Sequence, residues 1–314
     1  MSHTEYSAQF VQYSSVFLGL EEALLVDSLS RANLELIKLL SSMLSTFLVT
    51  LREGVEAALV VGIVLAFLSK HASHLKVWAW WGLAGGMGAS GLVGGALQLA
   101  LGWAEASSPL GMQVLQTILG TVAIASLSWM LLWMAENAKT LKGEIETQVA
   151  QRLSGWGVLL LVLVAIAREG FEIVLFIYSQ FTAGYAPLVG GIAGVIGAGI
   201  IGYGIFGLGL RLNLRAFFRW LGVLLLFLLA GLVISTLYHL DRAVSLWHPE
   251  LCSSSGSCIL GLQVWDTHEF LPDRQFPGVI LKTLLGYRDH LYLLQAIAYG
   301  IFLTAGLRLY WQRV

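Results

Sequence analysis

Residues 44–68 read LSTFLVTLREGVEAALVVGIVLAFL, an apolar run broken by one charged pentapeptide, Arg52-Glu53-Gly54-Val55-Glu56. Residues 156–181 read WGVLLLVLVAIAREGFEIVLFIYSQF and carry it again, as Arg168-Glu169-Gly170-Phe171-Glu172. Each run has the length that a helix needs to cross a bilayer, about 20 residues. An ionisable residue at the centre of a span costs roughly 2.5–3.5 kcal/mol on insertion scales, so the two copies together cost roughly 15–20 kcal/mol before any pairing. A penalty placed twice in the same order points to use.

The rest of the chain has the same character. Of its 314 residues 57% are hydrophobic and 12% charged, where a soluble domain has about 25% charged residues. This composition excludes a water-soluble enzyme or a nucleic-acid-binding domain and points to an integral membrane protein. Seven runs are long enough to span, at about 44–68, 78–103, 110–135, 156–181, 187–210, 218–239 and 291–311. They are continuous and lack the ten-residue alternation of a β-barrel, so the expected fold is an all-α membrane protein with seven transmembrane helices. Residues 1–42 carry Glu21 and Glu22 in their one apolar stretch and are expected to form a surface helix or a tail outside the domain. The domain itself is placed at 43–314.

Lysine and arginine set the expected orientation. Lys70, Lys76, Lys139, Lys142, Arg152, Arg211, Arg215, Arg308 and Arg313 all fall in connections or ends on one side, whereas the loops near 104–109 and 182–186 hold none. In a cytoplasmic membrane this puts the N-terminus outside and the C-terminus in the cytoplasm. The long 240–290 segment is then external. Its Cys252 and Cys258 either close a small loop on an oxidising face or remain free thiols.

The pentapeptides are 116 residues apart, counted from Arg52 to Arg168. Their neighbours also correspond: the second span has Gly82, Gly86, Gly91 and Gly95, and the fifth has Gly190, Gly191, Gly194 and Gly197. Small residues at helical spacing let backbones approach closely in lipid. Three spans (about 44–135) followed by three more (about 156–239) place the second unit upside down relative to the first. The expectation is a 3+3 inverted repeat with the 291–311 helix added. Such repeats bring their charged segments together near the bilayer midplane.

On a helix the two glutamates of each copy share a face, and the arginine reaches the second of them. The intervening Gly54 and Gly170 let a neighbouring helix or an ion come close. The structural alternative is that each arginine only neutralises its own copy, but four carboxylates against two guanidiniums leave a formal charge of −2, the character of a cation site. Oxygen donors in a helical bundle suit hard cations and iron.

The paired Arg-Glu-Gly-x-Glu segments on the first and fourth spans resemble the oxidase-dependent iron transporter family, the high-affinity iron permeases and their bacterial branch. The likeness runs from about residue 43 to the C-terminus. Arg211-Leu-Asn-Leu-Arg-Ala-Phe-Phe-Arg-Trp220, Trp265-Asp-Thr-His-Glu-Phe-Leu-Pro-Asp273 and Leu284-Leu-Gly-Tyr-Arg288 add to it. The resemblance implies a transporter, not an enzyme, importing iron as substrate with no bound cofactor. It implies Glu53, Glu56, Glu169 and Glu172 as ligands, with Arg52 and Arg168 orienting them. It also implies an outer iron-receiving patch at Asp266, His268, Glu269 and Asp273, and a separate iron-oxidising or periplasmic delivery protein as partner. Fe2+ and Fe3+ both stay open, since a charge of −2 matches the first and carboxylate donors suit the second. The alternatives are transport of another divalent metal, or an intramembrane carboxylate-iron enzyme, against which stands the absence of a Glu-x-x-His pair in any span.

Overall fold

The computed structural model describes residues 43–137, 141–151, 153–179, 185–210, 213–252, 257–267, 269–272 and 277–313. The N-terminal segment 1–42, expected to be a surface helix or a tail, lies outside them. The first helix, α1 (43–71), turns through a short 3-10 segment, Ser73–Leu75, into α2 (Lys76–Ser107). Ser108 then caps α3 (Pro109–Asn137), its Oγ accepting from the Gly111 N–H at 3.0 Å while Pro109 takes the first helical position. A short α4 (Leu141–Gln151) precedes α5 (Gly155–Ser179), which Ser154 caps, and α6 (Ala186–Phe206). The Asn213 side chain caps α7 (Leu214–Trp247).

The segment after α7 holds a disulfide, Cys252–Cys258, so of the two alternatives for these cysteines the closed loop is the one found. A strand β1 (Gln263–Asp266) follows, then a short helix α8 (Gly278–Leu285) and β2 (His290–Tyr292), which pairs antiparallel with β1. The last helix is α9 (Leu293–Arg313). Gly286 adopts a left-handed φ of 70° and lies against the backbone of Gly231 in the middle of α7. The segment after α8 therefore reaches in along α7, and Arg288 donates to Ser235 Oγ at 2.9 Å.

The fold is helical, and among the described residues five helices (α2, α3, α6, α7 and α9) are long and apolar enough to cross a membrane. The chain is a multi-pass membrane protein. The other two long helices, α1 and α5, carry the pentapeptides, and their charges are turned inward.

Glycine decides how these helices meet. Gly190, Gly194, Ala198 and Gly202 of α6 pack on Met43, Phe47 with Thr50, Gly54 and Ala58 of α1, in that order, so the two helices run parallel. Gly82, Gly86, Ser90 and Gly94 of α2 pack on Leu159, Leu163 with Ile166, Gly170 and Val174 of α5, again in order. A methyl group at Gly194 would lie 2.7 Å from Thr50 Cβ and one at Gly86 2.7 Å from Ile166 Cβ, so neither seam has room for a side chain. Rung by rung, the residues of α5 lie 116 positions after those of α1, and those of α6 lie 108 after those of α2. Gly91 and Gly95, expected at a helix contact, face open space; the seam uses Ser90 and Gly94 one position earlier. The outward face of α6 is apolar instead, with Ile192, Ile196 and Ile200 exposed, as a lipid-facing helix requires.

Two apolar clusters bracket the pentapeptides. Val49 joins Leu175 and Phe176 with leucines of α3 and α7 on one side. Val64 and Leu68 join Val158 and Val162 on the other, so α1 and α5 run in opposite directions past each other. The connection 136–155 contains α4, whose Ile145 and Val149 are buried in the second cluster. Apolar residues four apart make one helical face, and α1, α2 and α5 supply the surface that covers it.

Candidate metal centre

Each pentapeptide lies within a continuous helix, so its glutamates at i and i+3 point the same way. The glycine between them faces elsewhere. Gly54 sits against Ala198 and Gly170 against Ser90, so both glycines admit a neighbouring helix, and that contact turns the glutamates toward the opposite copy. Of the two uses expected for these glycines, the helix contact is the one realised.

Glu53, Glu56, Glu169 and Glu172 are all buried, and the two helices bring them together. Glu53, Glu56 and Glu169 each present a carboxylate oxygen within 4.8 Å of the others, a separation that one cation can bridge. Glu172 stands beside this group and outside that limit. Arg52 donates through Nη1 to Glu53 Oε1 and its Nη2 lies 2.9 Å from Glu56 Oε1, so one guanidinium serves both carboxylates of its own copy. Arg168 Nε lies 3.6 Å from Glu172 Oε1. Its Nη2 donates to the Met130 sulfur, and the group sits 5.5 Å from the centre of the Trp133 ring.

Glu53 Oε2, Glu56 Oε2, Glu169 Oε2 and Glu172 Oε2 are buried with no hydrogen-bond partner. Leaving a buried charged acceptor unpaired costs about 1–3 kcal/mol or more. Four such atoms, one from each glutamate, make a site whose electrostatics favour a cation. All the donors are carboxylate oxygens, which suits hard cations and iron better than soft ones. Nothing among the four resembles the carboxylate-histidine arrangement of a di-iron enzyme.

The expected outer residues have other surroundings. Asp266 ends β1, exposed, with its Oδ1 3.6 Å from His290 Nδ1, which also lies 3.3 Å from Asp289 Oδ1. Glu269 is exposed in the turn beyond. His268 and Asp273 lie outside the described residues. His239 meets Gln113 Oε1 at 2.8 Å and so joins α7 to α3, whereas Asp241 Oδ1 accepts the Cys258 and Ile259 N–H groups and holds the segment after α7 to that helix.

Met130, Trp133 and His290 were not among the candidates read from sequence. Met130 and Trp133 are apolar residues in an apolar span, with nothing local to distinguish them. His290 becomes a neighbour of Asp266 only through the pairing of β1 with β2.

Comparison with known proteins points the same way as the charged centre. The profile of the Iron permease FTR1 family matches residues 43–310. A Synechocystis protein designated slr0964, itself uncharacterized, is 45% identical over 281 residues, covering 84% of this chain and 91% of its own. The protein called ferrous iron permease EfeU in Escherichia coli O6:H1 is 30% identical over 256 residues, 77% of this chain and 86% of that one. The protein of the same name in Yersinia pestis is 28% identical over 277 residues, 84% and 92% of the two chains. No solved structure matches. With a charged helical centre inside a multi-pass fold and a family profile covering nearly all of the described chain, the protein belongs to the Iron permease FTR1 family, a family of transporters and not of enzymes.

Proposed function

We propose that the chain imports iron across the cytoplasmic membrane through a site at the bilayer midplane, where Glu53, Glu56, Glu169 and Glu172 hold the ion in transit. The observation that carries this reading is the group of four buried carboxylates, two from each pentapeptide, each with an oxygen lacking a partner. Seven helices cross the membrane in this reading: α1 to α3 form one half, α5 to α7 the same half inverted, and α9 is added. Two parallel seams at constant offsets support the inverted relation. The excess of lysine and arginine on one side supports an external N-terminus and a cytoplasmic C-terminus.

Iron is the cargo in keeping with the family, and the names of the Escherichia coli and Yersinia relatives favour the ferrous ion. A formal charge of −2 is neutralised by that ion. Asp266, His268, Glu269 and Asp273 are assigned to the outer approach, where a separate iron-oxidising or delivery protein would hand over the metal.

Uptake of radioactive iron into proteoliposomes, supplied separately as ferrous and ferric ion, tests the reading. Glu56→Gln and Glu172→Gln are expected to reconstitute normally and to lose uptake. Normal uptake in either variant removes the site. Competition by manganese or zinc that matches iron would move the cargo to another divalent metal.

A further inference from the structure

A cavity of about 270 Å³ opens beside the carboxylates, between α1, α3, α4 and α5. Its lining includes the buried Glu56 and Glu169 and also Glu144 and Gln148, both exposed on α4. Arg168, Met130 and Trp133 form part of its wall. At about 30 Å³ per water it holds roughly nine waters, room for a cation that keeps part of its hydration shell.

The polar groups of the lining differ in burial. Two are buried carboxylates whose Oε2 atoms lack partners. Arg168 comes beside them, its side chain 43% exposed and held to Glu172 only at 3.6 Å. Glu144 is the exposed carboxylate of the lining, on a helix whose apolar face is anchored by Ile145 and Val149. Anchoring one face of α4 leaves the adjacent polar face to form a wall of the cavity.

We propose that this cavity is the vestibule through which the cation passes between the paired pentapeptides and the α4 side of the membrane, with Glu144 as a carboxylate waypoint. The inference rests on the transport reading above and adds the route. On this route the cation leaves Glu56 and Glu169, passes Arg168, and is met by Glu144 before it reaches bulk water. The lysine-rich connection containing α4 makes this the cytoplasmic end, so the vestibule serves release.

Both native cysteines are joined in the disulfide, so a single introduced cysteine supplies a free thiol in the intact chain. Gln148→Cys and Ala165→Cys variants, reconstituted in vesicles, are treated with a membrane-impermeant cationic thiol reagent from each side. Both are expected to react from the same side, and Fe2+ under anaerobic conditions is expected to slow reaction at the deeper Ala165→Cys. Failure of Ala165→Cys to react, or reaction only from the side opposite Gln148→Cys, overturns the vestibule. Glu144→Gln is expected to lower iron uptake by about two- to fivefold, the scale of one solvated charge, with Glu146→Gln as the unaffected control. Unchanged uptake in Glu144→Gln overturns the waypoint. Thiol labelling needs no transport, so a chain that labels as expected but moves no iron would reject the transport reading and leave the cavity's water access standing.

Discussion

The two pentapeptides are nearly identical in sequence and differ in their surroundings. In the first, Arg52 is 3% exposed and contacts two carboxylates, and Val55 is fully buried against α6. In the second, Arg168 is 43% exposed and 3.6 Å from a single carboxylate, and Phe171 is 38% exposed. The first copy is a closed charge network set in packed helices. The second opens onto the cavity through both Arg168 and Glu169, which the first reaches through Glu56 alone. A motif specifies which groups can meet, and the neighbouring helices decide which are locked and which stay accessible. A transporter needs both kinds of site: a fixed set of ligands and a side from which the ion can leave.

That contrast can be broken most severely at the arginines. Arg52→Met removes the guanidinium shared by Glu53 and Glu56 and leaves buried charge uncompensated, which costs about 3–5 kcal/mol. The expected outcome is loss of folded protein in detergent, measured by thermal unfolding and yield. Arg168→Met, on a half-exposed group, should cost less than about 1 kcal/mol by the same measurement. Equal losses in the two variants would erase the difference between the copies.

The glycine seams give an intermediate effect. Gly54→Ala puts a methyl 2.6 Å from Ala198 Cβ, an overpacking expected to cost about 1–3 kcal/mol. Adding Ala198→Gly should restore most of the lost thermal stability, which sharpens the assignment of the clash to that pair. The smallest effect is expected at Phe171. Phe171→Val, which makes the second copy match the first, should change stability by less than about 0.5 kcal/mol, as for a residue on the surface, and should leave iron uptake intact.

Much of this was legible in the sequence because apolar length and charge are local properties. Each of the seven apolar runs corresponds to one long helix, with 187–210 overrunning the end of α6 at Phe206 and 291–311 starting in β2 before α9, and the two pentapeptides were marked by their cost. The packing of α4 was harder to see. Ile145 and Val149 offer only two apolar side chains in a charged stretch, and the cluster that covers them comes from α1, α2 and α5. The unequal arginines were invisible for a related reason, since Met130 and Trp133 lie more than thirty positions before Arg168. The approach of Gly286 to Gly231 likewise depends on a left-handed turn after α8, and a Leu-Gly-Tyr stretch does not announce its partner.

The glycine seams also bear on movement. Helices that interlock through large side chains resist lengthwise displacement, because each ridge must climb out of its groove. Along α1 and α6, and along α5 and α2, the meeting surfaces carry mainly glycine, alanine and serine on one side, with little to climb over. Such a surface works as a rail. Such a seam offers little steric resistance to a small shear of a charged helix along its partner, and the apolar clusters at either end oppose it.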